Sequence, residues 1–293
     1  MTDESLADRS SPSLSDAPPY ELGGSGRPLH LAHANGYPPP VYRQLVEPLA
    51  EHARVFALRF GPLRPGTDPA AMHRWSEMAE DLVAYLDAEH MRGVIGVGHS
   101  LGGVLTMYAA LRRPERFRAL ILIEPVFLPP ELLTSVDTAE RAAERIGLVR
   151  IARQRREQWP SRAVAFEHFR SKPVFAGLSD ETMWDYVNGG LKGVDEREEE
   201  DGPVELAYPR DWEARIYSTP PLDVWQAIPR ISVPTLAIRG AETDTISLAS
   251  WRRWQDLQPD ATFLNMAGVG HLLPFEAPDR VAAEIERFVL SLQ

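Results

Sequence analysis

Short apolar segments alternate with helical patterns through the first half of the chain. The apolar segments lie at 28–33, 54–60, 93–100 and 118–125, and residues with helical spacing occupy the stretches between them. Strands that alternate with helices are typical of right-handed crossover connections. The pattern therefore predicts an α/β fold, with a mostly parallel central sheet that carries helices on both faces.

The alternation is interrupted once and then resumes with two further predicted strands. Helical patterns dominate the interruption, and no strong strand is predicted in it. We therefore interpret residues 127–229 as a helical cap, or lid, inserted into one core domain made of 19–126 and 230–293. Residues 1–18 are polar and are predicted to form a disordered N-terminal tail.

Acidic residues outnumber basic ones, with 42 Asp and Glu against 31 Lys and Arg and a net charge of −11. This excess disfavours nucleic acid and membrane surfaces as partners. The chain has no cysteine, which excludes disulfides, thiolate metal sites and a cysteine nucleophile. No segment has the apolar length of a membrane span, and the polar start lacks the core of a signal peptide, so we expect a cytoplasmic protein.

The motif GHSLGG at 98–103 is the sharpest local signal for chemistry. It fits the pattern G-x-S-x-G, follows the apolar strand GVIGV and opens a helical segment, which is the strand–turn–helix context of a nucleophile elbow. Glycines allow the strand and the helix to approach, so that the Ser100 hydroxyl projects from the turn. The N–H of Leu101, at the start of this helix, is available to stabilise an oxyanion.

A serine hydroxyl needs a base, and the base needs an acid that orients it. Of the eight histidines, His271 follows the last predicted strand, at the sheet edge where α/β folds gather their ligands. The acid is expected to leave a strand at the same edge, and we prefer Asp244, which follows the strand at 234–240. Glu242, in the same loop, and Glu124, after the strand at 118–125, stay open as alternatives.

These residues resemble the α/β-hydrolase superfamily. GHSLGG, RGAETD and VGHLLPFEAP match its elbow, acid loop and base loop, and HANGYP at 33–38 matches its H-G-x-P loop, with Ala34 where glycine is usual. The resemblance covers about 28–293 and implies an α/β-hydrolase fold with an inserted helical cap. It also implies that the backbone N–H of Asn35 is the second oxyanion donor, beside that of Leu101.

The expected activity is that of a serine hydrolase. It would cleave a carboxylic ester of a small or medium, largely apolar molecule through an acyl-enzyme on Ser100. Lactonase, amidase, C–C bond hydrolase, perhydrolase and acyltransferase activities use the same side chains and stay open, as does a non-catalytic small-molecule sensor. The sequence contains no phosphate loop, metal-ligand cluster or dinucleotide motif, so we expect no metal and no cofactor. A monomer or a homodimer is expected.

The predicted cap is rich in aromatic residues, most of which we assign to its own core. A few of them, joined by Tyr37 and Leu272 of the core domain, are expected to line an apolar substrate site. The predicted cap also carries a group of arginines, which we interpret as a solvated helix face, with a substrate carboxylate as the alternative partner: Arg150, Arg153, Arg155 and Arg156.

Overall fold

The computed structural model describes residues 17–134, 138–194 and 202–292. In this part of the chain seven strands form one sheet, in the order β1-β3-β2-β4-β5-β9-β10. Six strands are parallel, as predicted, and β1 pairs antiparallel with β3 at one edge. The strands are β1 (Tyr20–Gly23), β2 (Arg27–Ala32), β3 (Ala53–Ala57), β4 (Val94–His99), β5 (Phe117–Ile123), β9 (Thr235–Gly240) and β10 (Thr262–Met266).

Helices cover both faces of this sheet. Because side chains alternate along a strand, Ile121 and Ile123 of β5 join one apolar cluster, and Leu120 and Leu122 join the other. The first cluster includes residues of α1 and α13, and the second includes residues of α2, α3 and α11. The core helices are α1 (Arg43–Ala50), α2 (Trp75–Ala88), α3 (Leu101–Arg112), α11 (Leu248–Leu257), α12 (Leu273–Glu276) and α13 (Pro278–Ser291).

A long connection, called the insertion below, joins β5 to β9 and comprises residues 124–234. These two strands pair directly in the sheet, so the chain leaves and re-enters the core at neighbouring positions. The expected division at 127 and 229 falls inside this connection. Its helices are α4 (Pro130–Thr134), α5 (Ala139–Ile146), α6 (Leu148–Arg153), α7 (Arg162–Arg170), α8 (Asp180–Gly190), α9 (Arg210–Ser218) and α10 (Val224–Ala227).

Beside the predicted helices, the insertion holds a small antiparallel sheet, which was not predicted. Its strands are β6 (Gln158–Trp159), β7 (Leu191–Gly193) and β8 (Val204–Leu206), in the order β6-β8-β7. Segments of two or three residues are too short to show a strand's alternation, which explains why the sequence pattern did not reveal them.

The N-terminal boundary also differs from the expectation. Residues 1–16 of the predicted tail lie outside the described residues. Ala17 is buried, and the Pro18 carbonyl accepts a hydrogen bond from Nε of Arg59 at 2.9 Å. Of the two described residues assigned to the tail, Ala17 is therefore packed, and the exposed Pro18 is hydrogen-bonded to Arg59. Among the described residues, no helix combines the length and the apolarity that crossing a bilayer requires.

Candidate active site

The predicted nucleophile occupies a strained turn between β4 and α3. Ser100 has φ 55° and ψ −115°, a backbone conformation that L residues rarely adopt. A Cβ atom on Gly102 would lie 2.0 Å from the Ala32 carbonyl oxygen, and one on Gly98 would lie 2.3 Å from the Gly102 carbonyl oxygen. Neither position has room for a side chain, so the two glycines allow the tight approach that the elbow requires.

The base candidate lies next to this serine. Nε2 of His271 is 3.1 Å from Oγ of Ser100, although 171 positions separate the two residues along the chain. His271 stands in the loop between β10 and α12, so both residues lie at the carboxyl edge of the sheet. The structure thus brings together the two side chains that the sequence analysis paired.

The carboxylate in contact with the base candidate is that of Glu124, which corrects the preference for Asp244. Oε2 of Glu124 lies 3.2 Å from Nδ1 of His271. Asp244 and Glu242 are both exposed on the loop after β9. Glu124 was an alternative in the sequence-based prediction, because Glu124 also follows a parallel strand whose end lies at the same edge.

Glu124 is fixed by donors from the neighbouring strand. Its side chain is fully buried; Oε1 accepts the Gly240 N–H at 2.7 Å, and Oε2 accepts the Thr243 hydroxyl at 2.6 Å. Its backbone has φ 47°, and its own N–H donates to the Ile238 carbonyl at 2.9 Å. A carboxylate only accepts hydrogen bonds, so Nδ1 of His271 donates to it and Nε2 is left free to accept from a hydroxyl.

A buried histidine, His99, connects the loop after β2 with the base candidate. Nε2 of His99 lies 3.0 Å from the His271 carbonyl, and Nδ1 lies 2.9 Å from Oη of Tyr42, which accepts the Ala34 N–H at 2.9 Å. The carbonyl only accepts, so Nε2 of His99 donates, Nδ1 accepts, and Tyr42 donates to it. Burial, and secondly the nearby His271, hold the pKa of His99 well below its usual range, so this link stays uncharged.

We expect Tyr42→Phe to lower kcat about 10-fold with little change in KM, because it leaves the Ala34 N–H and Nδ1 of His99 unpaired in the interior. Steady-state kinetics measure kcat and KM, and a thermal melt measures separately how far the unpaired groups lower the stability. Tyr85→Phe is the matched control, since Tyr85 packs on Phe56 far along the sheet from the base. An unchanged kcat in Tyr42→Phe would contradict the positioning role.

The predicted oxyanion donors are the backbone N–H groups of Leu101 and Asn35. Leu101 is the first residue of α3, and the first N–H groups of a helix have no acceptor within it. The Asn35 side chain is buried and anchored to the insertion: Oδ1 accepts the Tyr208 hydroxyl at 2.9 Å, and Nδ2 donates to the Glu213 carbonyl at 3.2 Å. Both bonds use the side chain, so they do not consume the backbone N–H.

The two predicted substrate-binding residues, Leu272 and Tyr37, lie in or against the same apolar cluster. Leu272, next to the base, is buried. Tyr37 is half-buried, stacks on Phe275 with ring centres 5.3 Å apart, and faces Tyr186 of the insertion at 5.4 Å. Tyr37 therefore lies where the core meets the insertion.

The four arginines of the insertion that were named from the sequence divide into two groups. Arg150, Arg153 and Arg156 are exposed, as interpreted from the sequence. Arg155 is different, because its Nη1 donates to Oε2 of Glu213 at 2.7 Å and both side chains are largely buried. The sequence pattern does not reveal this pair, since 58 positions separate the partners and no local pattern connects them.

A family model described as the alpha/beta hydrolase family matches residues 31–284. The chain is 33% identical to the 2-hydroxy-6-oxo-2,4-heptadienoate hydrolase of Pseudomonas putida over 123 residues, which are 39% of this chain and 43% of that protein. Three other curated relatives are matched over 39%, 66% and 80% of their length.

Two solved structures show the same fold at low sequence identity. The structure of E-2-(acetamidomethylene)succinate hydrolase has a TM-score of 0.75 and 17% identity, over 93% of this chain and 98% of that one. A thermophilic esterase from Thermogutta terrifontis has a TM-score of 0.64 and 20% identity, over 92% of both chains. From the matched region and the shared architecture, we conclude that the chain belongs to the α/β-hydrolase family.

Proposed function

We propose that the protein is a serine hydrolase that cleaves a carboxylic ester through an acyl-enzyme on Ser100. One observation carries the proposal: Ser100 Oγ, the His271 ring and the Glu124 carboxylate form a continuous line, with contacts of 3.1 Å and 3.2 Å. A serine, a histidine and a carboxylate in this order are the parts of an activated nucleophile.

The proposed reaction has two halves. Oγ of Ser100 attacks the ester carbonyl while Nε2 of His271 takes the hydroxyl proton. Glu124 holds the ring in the required tautomer and stabilises its positive charge. The tetrahedral intermediate expels the alcohol, which receives the proton from His271. Water then attacks the acyl-enzyme with His271 as base, and the acid and free Ser100 are released.

Two backbone amides complete the proposed site. The N–H groups of Leu101 and Asn35 would bind the developing oxyanion, each contributing on the order of 3 kcal/mol to transition-state stabilisation. The rigid elbow supports the first assignment, and the anchored Asn35 side chain supports the second. Both donors belong to the core, next to the end of a parallel strand.

We also propose that the insertion acts as a cap over this site. Tyr208 and Glu213 of the insertion bond to the side chain of Asn35, whose backbone N–H is the proposed oxyanion donor. A Cβ atom on Gly61 would lie 2.9 Å from the Trp212 ring, so α9 packs closely on the loop after β3. A segment in contact with this edge excludes water from the reaction and limits which substrates enter.

A fluorophosphonate probe tests the proposed nucleophile without knowledge of the substrate. We expect the folded protein to gain one phosphonyl group on Ser100, located by peptide mass spectrometry, and Ser100→Ala to gain none. Absence of labelling in protein with an intact thermal transition would favour a binding protein with this fold. A panel of p-nitrophenyl esters, lactones, amides and β-diketones would then rank esterase activity against the other outcomes of the same site.

A further inference from the structure

An ion pair of the insertion lies directly on the loop that carries Asn35. If Gly36, the next residue, had a Cβ atom, that atom would lie 3.2 Å from Nη1 of Arg155 and 3.5 Å from Oε2 of Glu213. Gly36 has φ 81°, which favours glycine, and its missing side chain leaves room for the pair. Two opposite charges therefore stand one residue from the proposed oxyanion donor.

Neutral hydrogen-bonding groups surround this pair. Nη2 of Arg155 donates to the Tyr186 hydroxyl, and Tyr37 packs against the Tyr186 ring. Burial raises the pKa of Tyr186 and Tyr217, so their hydroxyls remain protonated near neutral pH. The wall facing Asn35 is thus polar, in contrast to the apolar site expected from the sequence.

Stability alone gives a weak reason for such an arrangement. The side chains of Arg155 and Glu213 are 20% and 12% exposed, and the cost of removing two charges from water offsets most of their attraction. Polar groups that converge in a mostly covered region are typical of ligand recognition. Part of each side chain remains exposed to solvent.

We propose that Arg155 and Glu213 recognise a neutral group of the substrate that both accepts and donates hydrogen bonds, such as a carboxamide, close to the scissile carbonyl. The proposal rests on the proposed hydrolase function. Arginine only donates and glutamate only accepts, so a carboxamide oxygen matches the first and its N–H matches the second. A carboxylate would meet the Glu213 charge, and an alkyl group would leave both charges with fewer partners.

Two sets of isosteric esters test this chemistry, followed by release of acid in a pH-stat. The acyl set comprises methyl succinamate, monomethyl succinate and methyl 4-methylpentanoate. The alcohol set comprises the acetate esters of glycolamide, glycolate and 2-methylpropanol. In at least one set we expect kcat/KM for the carboxamide to exceed both isosteres by about 10-fold, because a polar site rejects analogues that leave its groups unpaired.

Two variants connect the selectivity with the pair. Glu213→Gln removes the negative charge and is expected to raise kcat/KM for the carboxylate ester about 10-fold relative to that for the carboxamide ester. Arg155→Met is expected to remove the preference for the carboxamide ester. Asp185→Asn is the matched control, because it breaks a different ion pair, Arg43–Asp185, which joins the core to the insertion, and it should leave the selectivity unchanged.

The outcomes separate the two proposals. Absence of both hydrolysis and probe labelling would overturn the hydrolase function itself. Hydrolysis without a carboxamide preference in either set would overturn the recognition role. The same preference in wild type and Glu213→Gln would also overturn it, and the pair would then have only a structural role. Because the wild-type comparison needs no variant, the proposal stays falsifiable if Glu213→Gln fails to fold, as a thermal melt would reveal.

Discussion

Glu124→Gln is expected to lower kcat for ester hydrolysis by about 10³- to 10⁴-fold, whereas Asp244→Asn should leave it within about 2-fold of wild type. The Gln oxygen can still accept the Gly240 N–H, so the side chain keeps its place. Its NH₂ group then faces Nδ1 of His271 and favours the tautomer that carries the proton on Nε2. Nε2 in that tautomer cannot accept the Ser100 proton.

Hydrolysis of p-nitrophenyl butyrate and the second-order rate of fluorophosphonate labelling both measure this loss. The labelling rate reports on the nucleophile even if the ester is a poor substrate. Asp244→Asn is the matched control, because it makes the same change of a carboxylate to an amide. Asp244 lies on an exposed loop at the same edge of the sheet. A large loss in Asp244→Asn with little loss in Glu124→Gln would overturn the assignment of the acid.

Ser100→Ala is expected to have a still larger effect, on the order of 10⁵- to 10⁶-fold on kcat, because it removes the atom that forms the acyl-enzyme. The oxyanion donors and the binding surface remain, so a small rate above that in buffer should persist. Alanine keeps the Cβ atom already present at this strained position, so the fold should survive.

Progress curves with p-nitrophenyl esters, with protein in excess, measure the residual rate of this variant. Thermal denaturation provides the control, and we expect a melting temperature close to that of wild type. A Ser100→Ala protein that retained more than about a tenth of the wild-type rate would place the nucleophile elsewhere, since no other group of the site could replace the hydroxyl.

Much of the sheet could be predicted from the sequence, because buried parallel strands are short, continuous apolar runs. The runs at 54–60 and 93–100 contain the observed strands Ala53–Ala57 and Val94–His99 to within a few residues. The edge strand Tyr20–Gly23 was not predicted, since it is short and none of its residues is fully buried. Burial on both faces produces the signal, and this short edge strand lacks it.

The contact between Ser100 and His271, the proposed nucleophile and base, could be predicted, because each residue occupies a loop with distinctive glycines. The acid could not be chosen by the same means. Glu124 and Asp244 follow β5 and β9, which are neighbours in the sheet, so both carboxylates leave the same edge. Contacts made in three dimensions, from Gly240 and Thr243 to Glu124, decide between them, and the spacing along the chain does not encode these contacts.

The point where the insertion leaves the sheet has a consequence for protein engineering. Glu124 is the first residue after β5, and the groups that hold its carboxylate lie where the chain has already returned, at Gly240 and Thr243. A chimera that replaces the residues between 124 and 235 therefore retains the acid and both of its anchors. Exchange of the insertion would then leave the contacts among Ser100, His271 and Glu124 in place, while the new insertion would have to supply partners for the Asn35 side chain.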